Sequence, residues 1–134
     1  MNRTFKAAVA ALIFAVGFAG SAAAGPFEDA VVALKKNDYA MALWLLRPLA
    51  EQGDAQSQAA LGLMYYDGRG VPQNYVLAHM WLSLALRGEK LAAKARDMVA
   101  AKMTPAQIAE AQKLARQWRP TGPRFRLLSE SFDS

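Results

Sequence analysis

His79 is the single histidine of the chain, and there is no cysteine. Metal sites of the imidazole and thiolate kind need several such ligands converging. Nucleophilic catalysis needs a nucleophile beside a base, with a third group orienting it. A lone imidazole supplies neither, so His79 reads as a satisfied or surface side chain. The carboxylates Glu28, Asp29, Asp38, Glu51, Asp54 and Asp67 are scattered, and no pair has a spacing that suggests acid–base work. Asp38 and Asp54 stand where helix N-caps are needed. Gly68-Arg69-Gly70 lacks both the Lys-Ser/Thr continuation and the preceding strand of a phosphate cradle, and reads as a turn between helices. No catalytic residue, cofactor-binding residue, metal ligand or cofactor is assigned.

What remains is binding chemistry. Trp44, Trp81 and Trp118 could stack on sugar rings. Trp81 and Trp118 fall on apolar helix faces and read as core, whereas Trp44 lies one residue off its helix's main stripe and is the best exposed candidate. A basic cluster, Lys113, Arg116, Arg119, Arg124 and Arg126, flanks Trp118 and Phe125. It reads as a solvated face and tail, with weak contact to an anionic envelope surface as its functional alternative.

The elements that position these residues follow from apolar periodicity and its punctuation. Helices are expected over Phe27–Lys36, Tyr39–Glu51, Ala55–Tyr66, Tyr75–Arg87 and Glu89–Lys102, with a sixth opened by Thr104-Pro105-Ala106-Gln107 and stopped at Pro120. Asp54 and Asn74 are the caps of the third and fourth. Thr104 with Gln107 forms a capping box, and Pro105 suits the first helical position. Pro48 interrupts the second helix. Gly68, Gly70 and Pro72 forbid a helix between the third and fourth. No segment alternates with period two. The expected fold is all-α, six helices paired into three hairpins.

Residues 1–24 read as a secretory signal peptide. Arg3 and Lys6 precede an uncharged apolar run from Ala7 to Ala19, and Ala22-Ala23-Ala24 supplies small side chains for cleavage. The run of 13 residues falls short of the ~20 that span a bilayer, which disfavours a retained anchor. Cleavage near Ala24 leaves 110 residues, with residues 25–119 as the helical domain and 120–134 as a tail. It also removes two of the 16 basic residues, leaving 14 against 11 acidic ones, a net charge of +3. That modest charge does not call for nucleic acid. The expected location is periplasmic or secreted.

An internal repeat organises the helices. Tyr39 and Tyr75 are 36 residues apart, as are Ala42 and Ala78, Leu45 and Trp81, Leu46 and Leu82, and Leu49 and Ala85. The segment Leu61-Gly62-x-x-Tyr65, then Gly68-x-Gly70-Val71, then Ala78-x-x-Trp81, resembles a Sel1-like repeat, a relative of the tetratricopeptide repeat. Ala50-Glu51-Gln52-Gly53 matches the usual end of a preceding unit. Ser57 and Asn74 depart from the family's alanine and aspartate but keep the local physics. Gly62 lets a neighbouring helix approach closely, and Gly68 and Gly70 supply turn angles. Val76, Leu77, Met80, Trp81, Leu84 and Ala85 form the stripe expected to pack on the third helix, while His79, Ser83 and Arg87 make one polar edge. A short α-solenoid of about three hairpins is implied.

The resemblance implies a protein-interaction scaffold, not an enzyme, with a protein or peptide as partner; a monomer with no nucleic-acid partner is expected. A glycan-binding module using Trp44 and Tyr66 is the alternative. Cysteine-rich relatives have been tied to β-lactam hydrolysis, so a hydrolase is the remotest reading for this cysteine-free chain. In related arrays the first helix of each hairpin lines a concave groove. The expected contact residues are therefore Gln56, Ser57, Ala60, Met64 and Lys94.

Overall fold

Proline fixes the φ angle that a first helical residue needs, and α1 starts at Pro26 and runs to Lys35. A computed structural model describes residues 25–121. The expected leader, residues 1–24, and residues 122–134 of the expected tail lie outside the described residues. After α1 come α2 (Tyr39–Glu51), α3 (Ala55–Asp67), α4 (Tyr75–Ala85), α5 (Ala92–Ala100) and α6 (Pro105–Gln117). The described residues contain no strand, and the all-α expectation holds.

The capping residues explain where the helices begin. Asp38 accepts from the Met41 amide at 3.1 Å, Asp54 from Ser57 at 2.9 Å and Asn74 from Leu77 at 3.0 Å. Thr104 accepts from Gln107 N at 3.2 Å while Gln107 Oε1 accepts from Thr104 N at 2.9 Å, which completes the capping box. The fifth helix departs from expectation. It starts at Ala92, because Gly88, Glu89 and Lys90 form a turn and the Glu89 carboxylate accepts from the Leu91 amide at 3.0 Å.

The repeat is visible in burial. Ala42 and Ala78 are fully buried, as are Leu46 and Leu82, so residues 36 apart in sequence hold equivalent core positions. Between the helices of the middle hairpin, a Cβ added at Gly62 would lie 3.1 Å from the Ala78 carbonyl oxygen and 2.9 Å from Leu82 Cγ. That contact places Ala78, Leu82 and Ala85 at the α3–α4 seam, with Leu82 fully buried rather than off the packing stripe. Val76 and Leu77, expected on that stripe, are only half-buried. Gly68 and Gly70 have φ of 67° and 73°, left-handed angles that suit glycine. The loop they form lies on the start of α2, where Arg69 pairs with Asp67 and sits 5.3 Å above the Tyr39 ring.

Two expectations are corrected. First, α5 and α6 do not form a third hairpin. Both take their principal contacts from α4, which is apolar on nearly every side and accepts α3, α5 and α6 around it. Second, α3 is not an exposed groove helix. Ser57 through Met64 are all buried, because α2 and α4 flank this helix and α5 touches it.

Candidate functional site

Of the five expected contact residues, three cannot present a surface. Ser57 is fully buried, its amide and hydroxyl both donating to the Asp54 carboxylate. Ala60 and Met64 belong to the core formed with α1 and α2. Gln56 is half-buried, and Lys94 on α5 is exposed. The physical reason is the number of helices packed against α3. With both α2 and α4 packed on α3 and α5 touching it, the stretch from Ser57 to Met64 is covered and cannot line a groove.

The residues that could do chemistry are all occupied structurally. His79 is buried at 4% exposure, not on a polar surface edge. Its ring lies 3.4 Å from the Ser83 hydroxyl, but that hydroxyl donates to the His79 carbonyl at 2.8 Å, a bond within one helix turn. Burial lowers the imidazole pKa from 6.5, the nearby Arg96 guanidinium adds to this, and Asp97 opposes it. A neutral, buried imidazole beside a hydroxyl committed to backbone lacks the alignment of a nucleophile–base pair. Glu89 is likewise buried and spent on its turn. Among the described residues no group of three or more His, Cys, Asp or Glu could hold a metal ion.

Trp81 is buried, and Trp118 packs edge-on against it with ring centroids 6.2 Å apart. These two indoles join Ala50, Leu61, Leu84 and Leu114 into a core that ties α2, α3, α4 and α6 together. Trp44 is different. It is 73% exposed, the most exposed of the large hydrophobic residues described. Tyr66, its expected companion in sugar binding, is half-buried, with its ring 5.5 Å from that of Tyr75.

Trp44 stands in a groove of about 750 Å³ along the outer face of α2, lined also by Pro26, Leu45, Pro48, Leu49 and Thr121. Glu51 and Gln52 complete the wall at the end of α2. Local sequence builds this surface. Leu45 and Leu49 recur one helix turn apart. Pro48 lies inside α2, where its ring adds apolar surface to the wall and supplies no amide to the helix. Thr121 closes one end, its amide and hydroxyl donating to the Glu51 carbonyl at 2.8 and 3.1 Å. Thr121, placed in the expected tail, thus helps form the site. Sequence reasoning singled out Trp44 but missed the groove, whose walls come from opposite ends of the described chain. An exposed indole and prolines over half-buried leucines suit an apolar peptide segment.

Comparison with known families agrees with this architecture. The Sel1 repeat model matches residues 33–54 and 55–88, the second half of the first hairpin with its turn and the whole middle hairpin. Neither the curated proteins nor the solved structures give a match.

Proposed function

Because this chain belongs to the Sel1-like repeat family, whose repeats generally act as protein–protein interaction modules, we propose that it is a non-enzymatic scaffold that docks an apolar segment of a partner protein in the Trp44 groove. The single observation that carries the reading is a large indole left 73% exposed on an apolar helix face. Monomeric proteins keep contiguous apolar surface small, and aromatic residues at the centre of such a patch dominate binding energy. An extended peptide or single helix fits so short a groove, and a short groove buries little area, so affinity is modest. Export with cleavage near Ala24 places the partner in the periplasm or outside the cell. The support is the Arg3/Lys6 start, the apolar run and the alanine triplet.

The test is photo-crosslinking in living cells from a reactive residue at Gln52, which lines the groove. A discrete crosslinked partner is expected, lost on Trp44→Ala and kept on Lys94→Glu. Retention with Trp44→Ala and loss with Lys94→Glu would return the binding surface to the first helices. A glycan reading has one observation in its favour, the exposed Trp44 ring. It lacks the second platform, since Tyr66 is packed against Tyr75.

A further inference from the structure

The α5 segment buries its smaller apolar residues and shows its larger ones. Ala92, Ala95 and Val99 are buried in the core shared with α3 and α4. Leu91 and Met98, the two large apolar side chains of the same stretch, are 44% and 38% exposed. Burial of apolar area within the chain favours the reverse arrangement. We propose that this outer face of α5 docks on a bilayer surface rich in anionic phospholipid. Leu91 and Met98 enter the acyl boundary, and Lys90, Lys94 and Lys102 hold the headgroup phosphates. The proposal goes beyond the Trp44 groove and does not depend on it.

The first argument is register. Leu91, Lys94, Met98 and Ala101 follow one another at spacings of three, four and three residues, so they run down one side of a helix. All four are exposed, and Leu91 and Ala101, just outside the helix, keep helical backbone angles. Leu91 and Met98 are thus about 10 Å apart along the axis. Lys90 opens the first turn, its carbonyl accepting from the Ala93 amide at 3.3 Å, and Lys102 closes the last, its amide donating to the Val99 carbonyl at 2.9 Å. A lysine therefore stands at each end of the stripe and another at its middle.

The second argument is charge. Among the described residues, none of these three ammonium groups has an ion-pair partner. Asp97 is the one acid between Lys90 and Lys102, and it pairs with Arg96 at 3.4 Å. The stripe is left cationic, with two aliphatic anchors. Lysine stems lie along an apolar boundary while their ammonium groups reach outward, and apolar side chains beside lysines on one helix face are the arrangement that settles at a membrane interface. The helix is already formed and held by its buried alanines, so docking carries no cost of folding it.

The third argument separates a bilayer from other anionic partners. Lys94 stands between Leu91 and Met98 and breaks the apolar surface in two. A protein partner gains most from a continuous apolar centre, whereas a bilayer takes each side chain singly. Nucleic acid would satisfy the lysines but gives Leu91 and Met98 no apolar phase to enter.

The test is flotation of the full chain with vesicles of phosphatidylcholine alone and with vesicles of equal parts phosphatidylcholine and phosphatidylglycerol. Binding should be confined to the anionic vesicles and should vanish at roughly 1 M salt, where charges are screened beyond ~3 Å. Each lysine near the surface is worth about fivefold, the equivalent of ~1 kcal/mol. Lys90→Gln/Lys94→Gln/Lys102→Gln should therefore weaken binding by about a hundredfold. Leu91→Ser/Met98→Gln should weaken it by roughly tenfold or more. All five side chains are exposed, so thermal unfolding should match wild type. The chain has no cysteine, so Met98→Cys accepts a single environment-sensitive nitrobenzoxadiazole dye, whose emission should rise on anionic vesicles. The same dye at Gln52→Cys, beside the Trp44 groove, should not respond. In each comparison the rest of the chain is unchanged, so the difference belongs to the labelled or altered face. Failure to float with anionic vesicles at low salt, or equal binding to both kinds, would overturn the proposal. Emission that rises at Gln52→Cys and not at Met98→Cys would also overturn it, by placing the membrane against α2. So would binding that survives both α5 variants and is lost on Lys113→Gln/Arg116→Gln/Arg119→Gln, which would move the contact to the end of α6. A DNA duplex that binds more tightly than the vesicles, with no loss on Leu91→Ser/Met98→Gln, would reduce the lysines to a general polyanion site and end the lipid reading.

Discussion

Gly62→Ala tests whether the α3–α4 seam is as close as described, because two opposing effects of known size meet at one atom. Alanine is favoured over glycine within a helix by about 0.5–1 kcal/mol. At an open position the substitution would stabilise by that amount. Here the new methyl would sit 2.9 Å from Leu82 Cγ, 3.1 Å from the Ala78 carbonyl oxygen and 3.3 Å from the Leu82 amide nitrogen. The Leu82 side chain is fully buried, its Cγ is a branch point and not a flexible end, and the two backbone atoms yield only if α4 shifts as a body. Overpacking of this kind costs about 1–3 kcal/mol. The crowding wins, and a net loss of about 1–2 kcal/mol is expected, equivalent to a fall in Tm of roughly 5–15 °C for a domain of this size. Thermal unfolding followed by circular dichroism measures it. Ala109→Gly, at an exposed position of α6, supplies the propensity term by itself, at about 1 kcal/mol. A rise in Tm for Gly62→Ala would refute the close approach.

Trp81→Ala removes a buried indole and its edge contact with Trp118, and urea unfolding should show a loss of about 3–5 kcal/mol. Trp44→Ala, by contrast, should leave stability within about 0.5 kcal/mol; a large loss would mean that the groove is closed in the folded chain. Burial, aided by Arg96, lowers the His79 pKa below 6.5, the value that applies when the chain is unfolded. Below pH 6.5 the unfolded chain therefore takes up a proton that the folded one refuses, so His79 favours unfolding increasingly as pH drops and contributes no slope above that range. Between about pH 7 and about pH 5, wild type should lose stability relative to His79→Gln. A pH-independent difference between their urea midpoints would show the imidazole to be solvated.

Much of the fold was legible because it is written in local chemistry. Asp38, Asp54, Asn74 and Thr104 each cap the helix they precede, and a cap depends on residues three apart, which a sequence displays directly. The 36-residue recurrence and the Gly68–Gly70 turn were equally plain. What escaped was the number of neighbours each helix has. The run Ala59-Ala60-Leu61-Gly62-Leu63-Met64 is small or apolar on every side, the mark of a helix covered all round, and a single-stripe reading of it leaves Ala60 and Met64 outside although both are buried. His79 looked polar because of its type, while its position on the fully packed α4 decided its burial. Glu89 looked like a helix start, but its side chain was needed to satisfy the Leu91 amide. The site was half legible. Trp44 stood off its stripe, but nothing local ties Thr121 to Glu51, 70 residues earlier.

That last tie changes how the molecule comes apart. An array in which each unit touches only its neighbours can fray from either end, one unit at a time. Here α6 packs on α4, Trp118 joins a core that includes Ala50, and Thr121 bonds the end of α2. The last helix and an early one are thus clasped directly, so α6 cannot peel away without exposing Leu61 and Trp81, nor α2 without releasing Thr121. Melting becomes all-or-none across the clasp. The loop closed in forming it spans 70 residues, so its closure comes late in folding, after the local hairpins have already formed.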